Sequence, residues 1–220
     1  MRRCEAFADT SAAEVSVRGF LHSPEAASSD GLVLTHGAGA NCDAPLLVAL
    51  AEAFCAGGLT VLRCDLPFRQ ARPSGPPPRG SAERDQQGLR AAVAAMRSRV
   101  AGRVFLGGHS YGGRQGSMLA AAEPGLVGAL LLLSYPLHPP EKPEQMRTAH
   151  FPQLKTPALF VSGVRDGFAT REEMEAALKL IPARTELISV AGAGHELATK
   201  RNRDAVVGLV TKAFRSFAEI

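Results

Sequence analysis

Short apolar segments alternate with segments of helical periodicity along this chain, and this alternation restricts the fold more than any other feature. The segments GLVLTHG, RVFLGG and TPALFVSG are almost continuously apolar and contain or adjoin glycine or proline. Strands of this kind are typical of a parallel sheet whose two faces are both covered by helices. We therefore expect a single doubly wound α/β domain over residues 1–220, with a mostly parallel sheet.

The individual elements follow from the periodicity of the apolar residues. The predicted strands cover residues 14–22, 31–37, 59–67, 103–108, 126–136, 156–163 and 184–190. The predicted helices cover residues 45–58, 81–100, 110–123, 171–181 and 203–218. Proline and glycine predict a loop at 69–81 and an irregular insertion at about 135–156, which is too short to form a deep lid over a site.

The composition excludes several classes of protein. With 45% hydrophobic residues and a net charge of +4, the chain has the composition of an ordinary globular domain. Its longest fully apolar run, Ala129–Leu133, is far below the roughly 20 residues that span a bilayer. No apolar segment follows the two arginines at the start, so we expect no signal peptide, no membrane association and a cytoplasmic location. The charge is too small to indicate nucleic-acid binding.

The cysteines and the remaining motifs indicate neither a metal nor a cofactor. The four cysteines show no C-x-x-C pairing and no histidine at zinc spacing. We interpret them as reduced, partly buried thiols.

The segment VFLGGHSYGGRQG raises the question of whether Ser110 is a nucleophile or only a turn residue. Gly108 to Gly112 match the pattern G-x-S-x-G, which is weak evidence in a chain that contains 22 glycines. Here, however, a predicted strand leads into the motif and a predicted helix follows it. A nucleophile elbow needs this strand–turn–helix context, because the strained turn exposes the serine hydroxyl at the edge of the sheet. We therefore predict that Ser110 is the nucleophile.

A serine nucleophile needs a base and an acid to orient that base. Asp166 follows the strand TPALFVSG and His195 follows the strand RTELISV, which gives the chain order Ser, Asp, His of α/β-hydrolases. Asp65 is the competing acid, but it precedes Ser110. His22 and His36 also precede the elbow, and we expect the side chain of His109 to point away from the cleft.

Acyl transfer also needs backbone donors for the oxyanion of the tetrahedral intermediate. The first predicted donor is the N–H of Tyr111, the residue after the nucleophile. The loop THGAGAN supplies the second, for which we favour the N–H of Ala38 over that of Gly39.

Several arginines and histidines lie in loops at the ligand-binding edge of the predicted sheet. Arg69 and Arg79 are candidate contacts to an anionic ester, and Arg72, Arg147 and Arg165 lie in the same set of loops. His138 and His150, in the insertion, are further candidates for the substrate pocket. Arginines exposed to solvent would give the same pattern.

Two other classes of function compete with a hydrolase. HGAGAN after a strand is similar to a dinucleotide-binding loop, but Cys42 stands where the third glycine is needed. A catalytically idle interaction module that keeps the hydrolase fold is the stronger alternative, because a triad in a sequence is not turnover. The intact set of three residues argues against it.

These residues together resemble the α/β-hydrolase superfamily, and in particular its small group related to testis-expressed protein 30 and the third subunit of the NSL acetyltransferase complex. The matching segments include LTHGAGAN, GGHSYGGR, SYPLHPPEKPEQMRTAHFPQL, SGVRDGF and GAGHEL. The chain departs from the group at His109-Ser110-Tyr111, where Arg-Ser-Met is frequent. The resemblance implies a minimal hydrolase without a large cap, with triad roles for Ser110, Asp166 and His195. We expect a carboxylesterase-like serine hydrolase acting on esters or thioesters of small acyl groups, without a cofactor.

Overall fold

An eight-stranded, mostly parallel sheet forms the centre of the computed structural model, which describes residues 3–11 and 15–220. The strands β1 to β8 are Arg3–Asp9, Val17–Ser23, Gly31–Thr35, Thr60–Cys64, Val104–His109, Leu130–Leu133, Ala158–Gly163 and Thr185–Val190. Their order in the sheet is β1-β2-β4-β3-β5-β6-β7-β8. Strands β3 to β8 are parallel, whereas β2 pairs antiparallel with both β1 and β4. The predicted α/β fold class is confirmed.

Helices cover both faces of this sheet. The helices α1 to α6 are Pro45–Ala56, Pro67–Ala71, Ala82–Arg97, Tyr111–Ala122, Arg171–Leu178 and Arg203–Ala218. Buried residues of α1 and α6 share one apolar core with one face of the sheet, and those of α3, α4 and α5 share the second core with the other face. The central strands β3, β6 and β7 are buried along their whole length, because they lie between these two cores.

Two elements were not expected from the sequence. Strand β1 is an edge strand in which Phe7 is the one buried residue, so its apolar pattern is weak. Helix α2 is a five-residue helix with proline at its first position. Its last three residues lie in the segment 69–81, which was predicted to be a loop. The predicted start of the second strand at Glu14 lies outside the described residues, and β2 itself begins at Val17.

The parallel strands bring four loops to one edge of the sheet. In register, Thr35 at the end of β3 lies beside Gly108 near the end of β5, and Gly163 at the end of β7 lies beside Val190 at the end of β8. The loops that follow these strands therefore meet, as parallel topology requires. They carry the candidate residues of the sequence.

The segment 135–156 contains a single 3₁₀ turn, Phe151–Gln153, and no longer helix or strand. Tyr135 and Phe151 of this segment pack against Phe160 of β7, with ring centroids 5.4 Å apart for the first two and 5.8 Å apart for Tyr135 and Phe160. These rings anchor the segment to the core. Among the described residues, no helix is long and apolar enough to cross a membrane.

Candidate active site

A cleft of about 840 Å³ lies at the carboxyl edge of the sheet. We call it the cleft, and it is defined by the loops after β3, β6, β7 and β8, the proline-rich loop before α3, and the first turns of α4. Its lining residues are 37–40, 77–82, 109–111, 114, 115, 136, 147, 168, 195 and 196. Ser110, His195 and Phe168 line the cleft together.

Ser110 lies at the turn between β5 and α4 in a strained backbone conformation. Its φ and ψ angles are 50° and −115°, a region that non-glycine residues rarely occupy. The N–H of Ser110 donates to the carbonyl oxygen of Leu133 at 2.8 Å, which ties the turn to β6. This geometry is that of a nucleophile elbow.

The glycines around Ser110 allow β5 and α4 to approach closely. A Cβ atom on Gly108 would lie 2.4 Å from the backbone nitrogen of Gly113, and one on Gly112 would lie 2.5 Å from the carbonyl oxygen of His36. Neither backbone can move away without moving a strand or a helix. The sharp turn at Ser110 therefore depends on glycine at both flanking positions.

Asp166, His195 and Ser110 are brought together in one hydrogen-bonded chain. His195 Nε2 lies 2.8 Å from Ser110 Oγ, and His195 Nδ1 lies 3.0 Å from both carboxylate oxygens of Asp166. The Asp166 side chain is 1% exposed and that of His195 is 21% exposed. The N–H of Phe168 donates to Asp166 Oδ1 at 2.9 Å and holds the carboxylate in place. An imidazole in this arrangement can accept a serine proton, and the carboxylate can stabilise the imidazolium that results.

Two rings hold His195 in place, one at its side chain and one at its backbone. Phe168 stacks on the imidazole with ring centroids 4.0 Å apart and an interplanar angle of 29°. His109 Nε2 donates to the carbonyl oxygen of His195 at 2.9 Å, and burial lowers the pKa of His109, which keeps the ring neutral. The expectation that His109 points away from the cleft was therefore wrong: its ring lines the cleft beside the base.

The loop after β3 lines the cleft together with Ser110. Ala38 and Gly39 both line the cleft, as does Tyr111. The N–H of Tyr111 is the first of helix α4, where the helix itself supplies no acceptor. The favourable end of the helix dipole points at the same place. The geometry can therefore accommodate an oxyanion between these two segments.

Arg69 holds this loop and does not face the cleft. Its guanidinium donates to the carbonyl oxygens of Ala38 and Ala40 at 2.8 Å each, and to those of Gly75 and Arg72 at 2.9 and 3.1 Å. Arg69 is 5% exposed. The expectation that Arg69 contacts substrate is corrected, because its donors are occupied by backbone carbonyls. It positions the loop that carries the candidate oxyanion donors.

Asp65 and His36 also hold the loop after β3 in place. Asp65 Oδ1 accepts the N–H of Cys42 at 2.7 Å, and His36 Nε2 accepts the N–H of Leu66 at 3.1 Å. Burial lowers the pKa of His36, which favours the neutral ring that can accept this bond. Asp65 is therefore engaged away from His195, as expected when Asp166 was preferred over it.

His138 and His150 lie outside the cleft. His138 contacts the carbonyl oxygen of Pro139 at 2.7 Å and Glu173 Oε2 at 3.2 Å. His150 Nε2 lies 2.8 Å from Ser117 Oγ, and burial followed by the charge of Arg114 lowers its pKa to about 4. The expectation that these histidines line the substrate pocket is corrected, since both are used in internal contacts.

Three arginines do line the cleft. Arg79 and Arg147 were in the predicted set of loop arginines, whereas Arg114 was not predicted. Arg114 follows Ser110 by four residues in α4, and this spacing places it on the same face of the helix. That spacing is the signal in the sequence that identifies it. Arg165, by contrast, donates to the carbonyl oxygen of Gly192 outside the cleft.

A buried carboxylate that the sequence did not reveal supports the first turn of α4. The Tyr111 hydroxyl donates to Asp85 Oδ2 at 2.8 Å, and the N–H of Phe68 donates to Asp85 Oδ1 at 3.0 Å. Asp85 is fully buried, and burial raises the pKa of Tyr111. This network connects α2, α3 and α4 beneath the nucleophile.

The fold and the site together define a hydrolase of the α/β class, and comparison with known proteins gives the same result. Residues 28–217 match the model of a family described as an alpha/beta hydrolase domain, and the chain belongs to this family. The sequence resemblance to the superfamily is thereby confirmed.

Solved structures agree with this fold at low sequence identity. An alpha-beta serine hydrolase homologue from Coxiella burnetii is 19% identical, with a TM-score of 0.76 over 95% of this chain and 96% of that one. A dienelactone hydrolase from Anabaena variabilis is 23% identical, with a TM-score of 0.74 over 98% of both chains. Est1E from Butyrivibrio proteoclasticus is 17% identical, with a TM-score of 0.78 over 98% of this chain and 99% of that one.

Proposed function

We propose that this protein is a serine hydrolase that cleaves carboxylic esters or thioesters of small acyl groups through an acyl-enzyme on Ser110. The observation that carries the proposal is the chain of contacts from Asp166 through His195 to Ser110 Oγ, at 3.0 and 2.8 Å. A hydroxyl held against a carboxylate-oriented imidazole is the requirement for nucleophilic catalysis by serine. Within the hydrolase family, the pattern GGxSxGGR and the motif YPLHPP support membership of the group related to testis-expressed protein 30.

The reaction proceeds in two half-reactions that share one base. His195 takes the proton of Ser110 as Oγ attacks the acyl carbon, and the same proton is then donated to the leaving oxygen or sulfur. The N–H groups of Tyr111 and Ala38, with Gly39 as the alternative, stabilise the oxyanion. In the second half, His195 deprotonates a water molecule that attacks the acyl-enzyme, and it then returns this proton to Ser110 Oγ as the acid is released.

The walls of the cleft favour small acyl groups over long apolar chains. Arg114 and Arg147 are part-buried in the wall of the cleft, near Ser110. A long hydrocarbon chain laid over them would remove these charges from water without supplying a partner, which is costly. The segment 135–156 is anchored to the core by Tyr135 and Phe151, so it does not form an apolar lid.

Hydrolysis of p-nitrophenyl acetate, p-nitrophenyl butyrate and an acetyl thioester tests this proposal. We expect turnover by the wild type, reduction to the uncatalysed background in Ser110→Ala, and unchanged turnover in Ser98→Ala, whose hydroxyl lies at the end of α3. Equal turnover in wild type and Ser110→Ala would contradict the proposal. Absence of turnover in folded wild type toward the whole panel would favour the idle interaction module.

A further inference from the structure

The part of the cleft beyond Ser110 carries a concentration of positive charge that the proposed triad does not use. Arg79, Arg114 and Arg147 line this part, and Glu196, an exposed residue beside His195, is the one carboxylate among the lining residues. None of the three arginines forms an ion pair within the described residues. Uncompensated guanidinium groups in a cleft are typical of sites that bind a carboxylate or a phosphate.

Arg114 has the position expected of a substrate contact. Its N–H donates to the carbonyl oxygen of Ser110 at 3.0 Å, so the two residues are one helical turn apart on the same face of α4. The four-residue separation corresponds to about 6 Å along the helix axis. The Nε atom of Arg114 is buried and has no hydrogen-bond partner in the described part of the chain. A buried donor of this kind is costly unless a ligand satisfies it.

Arg147 reaches the same place from the segment after β6. Among the described residues its side chain makes one hydrogen bond, from Nη1 to the carbonyl oxygen of Pro136 at 3.3 Å, which leaves most of its donors available. Burial, and then the charge of Arg114, lower the pKa of Arg147. The two guanidinium groups therefore repel each other across a partly dehydrated space, and an anion between them would relieve that repulsion.

The neighbours of the two arginines are neutral or donate hydrogen bonds. The Tyr135 hydroxyl faces Arg114 but donates its proton to the carbonyl oxygen of Arg147 at 2.7 Å. Gln115 lines the cleft with its Oε1 accepting from Gln86 at 2.9 Å, while its Nε2 is buried without a partner among the described residues. In the part of the chain that the structure describes, no carboxylate forms an ion pair with either arginine.

We infer that Arg114 and Arg147 form an anion-binding subsite, and that the substrate is a small ester or thioester carrying a carboxylate. The inference rests on the proposed function for the identity of the scissile bond. It replaces Arg69 with Arg114 as the principal contact of an anionic substrate. Arg79, exposed at the rim, contributes less because solvent screens it.

Paired charged and uncharged esters test the inference. The acyl-side pair is mono-p-nitrophenyl glutarate and p-nitrophenyl methyl glutarate, and the alcohol-side pair is 4-acetoxybenzoate and its methyl ester. In at least one pair we expect kcat/KM to favour the charged member after subtraction of the uncatalysed rate. We expect Arg114→Gln and Arg147→Gln each to lose about ten- to a hundredfold of kcat/KM for that member, mainly through KM.

Matched controls separate binding from structural damage. In both variants the uncharged esters should lose much less kcat/KM than their charged partners. Arg171→Gln, which removes the same charge from an exposed ion pair with Glu175, should change neither pair. Arg114→Lys should retain part of the preference, because it keeps the charge but loses the planar fork. Equal losses for charged and uncharged esters would assign Arg114 a structural role and overturn the inference.

Failure of the inference and failure of the proposed function give different results. Wild type that hydrolyses uncharged esters with no preference in either pair overturns the inference and leaves the function intact. If wild type hydrolyses no ester, calorimetry of glutarate binding to the Ser110→Ala variant decides the inference by itself. Salt-sensitive binding that is lost on adding Arg114→Gln supports the subsite, and absence of glutarate binding overturns it.

Discussion

The two sides of the cleft differ in how their polar groups are satisfied. On the side of the triad, Asp166 receives the N–H of Phe168 and His195 Nδ1, and His195 in turn contacts Ser110. On the opposite side, Arg114 and Arg147 have no carboxylate partner among the described residues. Groups that must hold a fixed geometry before substrate arrives are saturated internally. Groups that await a ligand are left with unused donors.

The largest expected effect comes from a substitution in the triad. Asp166→Asn should reduce kcat for small esters by about 1,000- to 10,000-fold, because the amide holds the imidazole in the wrong tautomer and cannot stabilise the imidazolium. Steady-state kinetics with p-nitrophenyl butyrate measures this loss. Asp204→Asn, on the exposed start of α6, is the control and should keep wild-type kinetics. A loss of less than tenfold would mean that Asp166 does not orient the base.

The triad and the arginines also depend on the close contact between β5 and α4, because Ser110 and Arg114 lie at the start of α4. Gly108→Ala would place a Cβ atom 2.4 Å from the backbone nitrogen of Gly113, and overpacking of this kind costs about 2–3 kcal/mol. Urea unfolding measures the change in the free energy of unfolding. Gly208→Ala, in α6 with open space around the added atom, should instead stabilise by about 0.5–1 kcal/mol. Equal effects at the two positions would contradict the tight contact.

The loop after β3, which carries the candidate oxyanion donors, allows a further comparison. The arginine that holds this loop has its donors occupied by backbone carbonyls, whereas the arginines of the anion-binding subsite have unused donors. Arg69→Gln should reduce kcat by about tenfold, since one amide cannot replace a guanidinium that contacts four carbonyl oxygens, two of them in residues 38–40. KM for charged and uncharged esters should change equally. A selective rise of KM for charged esters would show that Arg69, and not Arg114, binds the anion.

The smallest expected effect concerns the stability of the fold in acid, through the titration of His150 near Arg114. Burial and the charge of Arg114 lower the pKa of His150 to about 4, whereas the unfolded chain protonates this ring near pH 6.5. The unfolded state therefore binds more protons between about pH 6.5 and pH 4, so stability falls as the pH is lowered through that window. His150→Gln should reduce the slope of unfolding free energy against pH by up to about 1.4 kcal/mol per pH unit.

Chemical denaturation at several pH values between 4.5 and 7.5 gives this slope. His138→Gln is the control, since the carbonyl oxygen of Pro139, followed by Glu173, raises the pKa of His138. A raised pKa contributes stability at low pH that is lost as the pH rises, so this variant should steepen the loss of stability in acid. The same change of slope in both variants would contradict the assignment.

The central fold was predictable because its strands are buried on both faces and are therefore apolar throughout. Leu130–Leu133 is such a strand, and the final helix Arg203–Ala218 has the predicted bounds. Arg3–Asp9 was missed because it is an edge strand whose residues are mostly exposed, which removes the apolar signal. Pro67–Ala71 is too short for helical periodicity to register within a loop rich in proline.

In the candidate site, residues at the ends of strands were predictable and residues defined by packing were not. Ser110, Asp166 and His195 each follow a recognisable strand, so topology alone places them at one edge. The roles of arginines depend on which neighbours reach them, and a sequence does not contain that information. Arg69 was therefore assigned to substrate although backbone carbonyls occupy it, and Arg114 was overlooked although its spacing from Ser110 is helical.

Intact-mass analysis after treatment with a small fluorophosphonate tests the central claim, an activated serine at the elbow, most directly. We predict a single adduct on wild type and none on Ser110→Ala or His195→Ala, because only a serine deprotonated by its histidine attacks phosphorus at a useful rate. Ser98→Ala should label like wild type. No adduct on folded wild type, or an adduct that persists in Ser110→Ala, would contradict the account.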